Sequence, residues 1–100
     1  MSQFKTCEEF RLPKREVTIV NKLGLHARAA AKFVTLASGF ASEISLQRGD
    51  RQVNGKSIMG VMMLAAGKGA RLEIFAVGED AQQALDRLEN LVQQRFGEDE

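Results

Sequence analysis

The stretch EVTIVNKLGLHARAAAKFVTLASG, residues 16–39, changes its hydrophobic period part-way along, and that change decides the fold. From Glu16, Val17, Ile19 and Asn21 alternate with Thr18, Val20 and Lys22, and the β-branched content marks a strand. Gly24 breaks it. From His26 onward, Ala27, Ala29, Ala30, Ala31, Phe33, Val34, Leu36 and Ala37 suit a helix with an apolar stripe. Ser38-Gly39 is its expected stop, with Gly39 free to turn left-handed.

Outward from this pair the same two periods recur. Ala41 to Gln47 reads as a second strand, with Ile44 and Leu46 on one face. Arg48-Gly49-Asp50-Arg51 is a tight turn into a short third strand through Gln52 and Val53. A helix is expected from near Ser57 to the glycines at 67 and 69, and a fourth strand over Arg71 to Val77. The last helix starts near Asp80, with Ala81, Ala84, Leu85, Leu88, Leu91, Val92 and Phe96 at spacings of three and four. Strand, helix, strand, strand, helix, strand, helix is an α+β order, with helices covering one face of a small antiparallel sheet. Residues 16–100 form one domain in this reading. Residues 1–15, polar, mixed in charge and holding Pro13, form a mobile N-terminal extension.

Composition narrows the function. The chain has 100 residues and a formal net charge of +1, with acids and bases interspersed, so no basic face for nucleic acid is expected. Trp and Tyr are absent and the Phe residues scattered, which leaves no base-stacking platform. Cys7 is the sole cysteine and His26 the sole histidine, too few for a tetrahedral zinc site. No metal and no cofactor are expected. No apolar run is long enough to cross a membrane, and charges at Lys5, Glu8, Glu9 and Arg11 interrupt any signal-peptide core, so the expected location is the cytoplasm.

The chemistry concentrates in Gly24-Leu25-His26-Ala27-Arg28-Ala29-Ala30-Ala31. The first N–H groups of a helix lack partners and carry partial positive charge, so an anion is favoured beside the imidazole. Arg28 can bring a guanidinium to the same anion. Positive surroundings favour a neutral, nucleophilic ring, and the same donors stabilise charge on a phosphoryl group in transit. From spacing alone, a histidine at this place also serves as a cap or a plain surface residue.

Gly24 to Ala31 closely resembles the phosphorylation-site motif of the HPr family, the histidine phosphocarriers of the bacterial phosphotransferase system. Lys56-Ser57-Ile58-Met59-Gly60-Val61-Met62-Met63-Leu64 resembles that family's second signature, around a regulatory serine, and the likeness runs from Glu16 to about Phe96. It implies an open-faced β-sandwich, a four-stranded antiparallel sheet with three helices on one face. It also implies that His26 receives a phosphoryl group from enzyme I, assisted by Arg28, and passes it to a IIA-type protein. Such a chain is a carrier without turnover of its own, in either a sugar-uptake branch or a nitrogen-related branch. Where the family commonly has proline after this arginine the chain has Ala29, itself a good helix residue.

Ser57 is a favoured N-cap on pattern alone; the resemblance makes it a target for HPr kinase/phosphorylase. Methionines at helical spacing are ordinarily core, but by position Ile58, Met59 and Met62 are candidates for a docking patch, and Lys32 for a basic rim. Gly55-Lys56-Ser57 fails as a nucleotide loop because Asp50 stands where its first glycine is required. A carrier that shows His26 to successive partners is expected to be a monomer. The competing reading is a small regulatory binding module of similar fold that carries no phosphate.

Overall fold

The computed structural model describes residues 13–100. The proposed extension therefore lies, for residues 1–12, outside the described residues, as does Cys7. Strands β1 (Lys14–Thr18), β2 (Glu43–Arg48), β3 (Arg51–Asn54) and β4 (Arg71–Val77) form one antiparallel sheet in the order β1-β4-β2-β3. Helices α1 (Ala27–Ser38), α2 (Ile58–Met63) and α3 (Ala81–Gln93) follow β1, β3 and β4, and a short 3-10 turn, Arg95–Gly97, ends the helical region.

Alternation builds the layers. Val17, Ile44, Leu46, Leu72, Ile74 and Ala76 are buried on one face of the sheet, and their neighbours Glu16, Glu43 and Thr18 are exposed. Against that face α1 packs Ala29, Ala30, Phe33, Val34 and Ala37, and α3 packs Ala81, Ala84, Leu85, Leu88 and Val92. Burial of large side chains such as Phe33 and Leu88 contributes about 1.5–3 kcal/mol each. The fold is the expected open-faced α+β layer, with three α-helices among the described residues.

Several boundaries differ from expectation. β1 begins at Lys14, two residues before Glu16, because Arg15 crosses to α3 and pairs with Glu89 at 2.8 Å and Asp86 at 2.8 Å. Asn21 is not a strand residue but a fully buried loop residue. α2 stops at Met63, short of the glycines, since Ala65 turns left-handed at φ 50. Gly39 closes α1 in right-handed geometry, φ −78, rather than the left-handed cap. Asp80 is the N-cap of α3 by position, yet its carboxylate turns to the β2 approach. It accepts from the amides of Ala41 (2.9 Å) and Ser42 (3.0 Å) and from the Ser42 hydroxyl.

The turn out of β1 requires its glycine. Gly24 has φ +69, and a Cβ there would lie 2.5 Å from the Ala66 carbonyl oxygen and 2.7 Å from the Gly67 Cα. Gly49 in the β2–β3 turn is also left-handed, φ +63, but has open space around it. Gly24→Ala is expected to destabilise the fold by about 2–4 kcal/mol, strain plus overlap. Gly49→Ala is expected to cost only about 1–2 kcal/mol. Urea unfolding of the two variants checks the difference.

Candidate functional site

The loop between β1 and α1 is held at three points. The Leu25 amide donates to the Ala66 carbonyl at 2.9 Å, the Gly24 amide to the Asn21 carbonyl at 3.2 Å, and Asn21 Nδ2 to the Gly24 carbonyl at 2.9 Å. Asn21 Oδ1 is buried and has no partner among the described residues. This bracing presents His26 as the N-cap of α1, in extended backbone with φ −74 and ψ 179.

His26 does not cap the helix with its ring: its side chain makes no bond to the first turn. The first intrahelical bond runs from the Ala30 amide to the His26 carbonyl at 2.8 Å, which leaves the amides of Ala27, Arg28 and Ala29 without that kind of partner. No acidic side chain sits in the first turn to use them. Arg28 is exposed, and among the described residues its guanidinium makes no salt bridge. Ala29, in the place of the family's proline, is helical and fully buried. The donors and the ring open into a cleft lined by Lys22, Leu23, His26, Ala27, Arg28, Glu98, Asp99 and Glu100. An imidazole beside free N–H donors and a guanidinium can take a phosphoryl group and stabilise its oxygens.

One wall of this cleft was not foreseen. The C-terminal tail folds back over the loop, and Glu98 Oε2 faces His26 Nε2 at 2.5 Å while Oε1 accepts from Asn21 Nδ2 at 3.0 Å. The surroundings of the ring are therefore not uniformly positive. The Asn21 amide, and after it the His26 ring, hold the Glu98 carboxyl below its ordinary range. The tail is further tied by the Lys22 amide donating to the Glu100 carbonyl at 2.7 Å.

Ser57 is the N-cap of α2, its hydroxyl accepting from the Gly60 amide at 3.0 Å. On that short helix Ile58, Met59 and Met62 are 43%, 72% and 39% exposed, too much for core residues. Met63 on α2 and Leu23 beside the histidine are exposed large apolar side chains that pattern reasoning passed over. Lys32 is exposed, and its Nζ donates to the Phe96 carbonyl at 2.7 Å, which ties its ammonium to the C-terminal turn. Asn21 and Glu98 were the residues missed. An asparagine three residues before a glycine was the only local signal, and nothing local marked Glu98.

The model of the phosphorylation-site component of HPr, "PTS HPr component phosphorylation site", matches residues 13–94. The chain belongs to the HPr family. The phosphocarrier protein HPr of Cupriavidus necator is 54% identical over 87 residues, covering 87% of this chain and 98% of that protein. The phosphocarrier protein NPr of Shewanella violacea is 45% identical over 85 residues, covering 85% and 93%. A crystal structure of HPr-C-His from Thermoanaerobacter tengcongensis superposes with a TM-score of 0.85 at 40% identity, covering 89% of this chain and all of that one. The family is that of the phosphocarriers of the phosphotransferase system.

Acid should release the tail. Because the folded Glu98 carboxyl lies below its unfolded value of 4.5, the stability it contributes is fully present above that value and is lost as pH falls through the folded one. In amide NMR spectra the Lys22 signal is expected to move, as pH falls below the ordinary carboxylate range, toward its position in a chain ending at Gly97. Glu98→Ala is expected to abolish that transition.

Proposed function

We propose that His26 accepts a phosphoryl group from the phosphohistidine of enzyme I and passes it to a histidine of a IIA-type protein. The observation that carries this reading is the ring at the N-cap of α1, uncommitted to the helix, beside the amides of Ala27, Arg28 and Ala29, which have no partner among the described residues. These amides and the Arg28 guanidinium hold the oxygens of the group in transit. The site is an open cleft rather than a closed pocket, as suits a carrier that must surrender what it binds.

Leu23, Ile58, Met59, Met62 and Met63 supply the apolar contact that successive partners share, and flexible methionines let one surface fit several proteins. The exposed Lys32, tied to the C-terminal turn, adds a basic rim. Ser57, at the edge of this surface, is the site for HPr kinase/phosphorylase. A phosphate there places nearly two negative charges beside the apolar contact and weakens docking to enzyme I. The protein works in the cytoplasm as a monomer, since one face must meet each partner in turn. The serine segment favours the serine-regulated branch over the nitrogen-related one, and transfer to a sugar-specific against a nitrogen-type IIA protein separates them.

Incubation with phosphoenolpyruvate, magnesium and a matching enzyme I is expected to add one acid-labile phosphate to the chain, read by intact mass. His26→Ala is expected to take none. Arg28→Ala is expected to slow charging by about tenfold to a hundredfold. A folded wild-type chain that stays uncharged by an enzyme I active on another carrier would defeat the proposal. Met59→Glu, at the most exposed of the patch positions, is expected to raise the half-saturating concentration for enzyme I charging by about tenfold while leaving the fold intact.

A further inference from the structure

The chain does not run off into solvent after α3. Arg95 (φ 59), Phe96 (φ 55) and Gly97 (φ 80) are left-handed in succession, a conformation that the first two adopt against their sterics. Phe96 is fully buried and anchors the turn from within the core. Lys32 holds its carbonyl, and Arg95 Nη1 donates to the Asp99 carbonyl at 2.7 Å. A backbone driven through this turn returns to the β1–α1 loop, where Lys22 binds the Glu100 carbonyl.

The result is specific at Glu98. Its side chain is 15% exposed, against 71% for Glu100, and both carboxylate oxygens are used. Oε1 meets the buried Asn21 amide, which also binds the Gly24 carbonyl, so the group that shapes the loop also aims the carboxylate. Oε2 meets His26 Nε2.

We propose that Glu98 is a positioning residue for phosphoryl transfer, accepting the Nε2–H of His26 and so presenting Nδ1 as the nucleophile. The inference rests on His26 being the acceptor. A carboxylate can only accept a hydrogen bond, so the hydrogen of the neutral ring resides on Nε2 and the lone pair on Nδ1. Nδ1 makes no bond to the first turn of α1 that would occupy that pair. In the transfer, the Nδ1 lone pair forms the new N–P bond as the bond from phosphorus to the donor imidazole breaks, its electrons remaining on the donor nitrogen. Nε2 keeps its proton, the phosphorylated ring becomes cationic, and Glu98 faces that charge. The role parallels a carboxylate that fixes the tautomer of a catalytic histidine from behind.

Long-range proton–nitrogen NMR spectra of the uncharged, 15N-labelled protein read the tautomer without any transfer reaction. The wild type is expected to show a protonated Nε2 and a bare Nδ1. Glu98→Ala, and a chain ending at Gly97, are expected to relax toward the mixture of an unconstrained imidazole. Both are expected to charge about tenfold more slowly from enzyme I at unchanged half-saturation. An unchanged tautomer in both variants overturns the proposal, and so does faster charging, which would make the tail an obstruction. Phosphate taken up by His26→Ala would instead overturn the underlying acceptor reading, so the two failures are distinct.

Discussion

The approach of Gly24 to the Ala66–Gly67 backbone is the contact on which the site depends. With no side chain in the way, the Leu25 amide reaches the Ala66 carbonyl, and the chain leaves β1 at the angle that starts α1 at Ala27. Ala66 follows the left-handed turn at Ala65 that ends α2. One backbone contact thus fixes the entry of the histidine helix and the exit of the serine helix together. The exposed Ile58, Met59 and Met62 accordingly belong to a helix tied through its exit to the histidine loop.

Two electrostatic influences of opposite sign meet at His26. The N-terminus of α1 and Arg28 favour an anion, while the Glu98 carboxylate faces the ring from the other side. In the proposed transfer that combination suits the chemistry better than either alone, because the transferred group is anionic and a ring that carried it would be cationic. Arg28 is exposed and the acidic tail lines the same cleft, both of which weaken the attraction of such donors for any anion.

Most of the architecture was legible because it is local. The alternation of Ile44 and Leu46 and the spacing of Leu85, Leu88 and Val92 report burial directly, and all five are core residues. β4 appears with the bounds read from Arg71 to Val77. Boundaries shifted where a distant partner decided them: Arg15 joins β1 through α3, and Ala65 ends α2 ahead of its glycines. Within the site, His26 was legible as a histidine at a helix start, and Arg28 by its place two residues on. Glu98 was not, since its contact with His26 spans 72 residues and depends on a left-handed turn at Arg95 and Phe96 that neither side chain favours. Asn21 fell into a strand pattern by parity, although its amide organises the loop and the tail.

The most direct measurement is the location of the phosphate on the charged protein. Tryptic cleavage at neutral to alkaline pH, with fragmentation that preserves the N–P bond, maps it by residue. The account requires it on His26 within the peptide Leu23–Arg28. A phosphate placed by enzyme I on any other residue would contradict it.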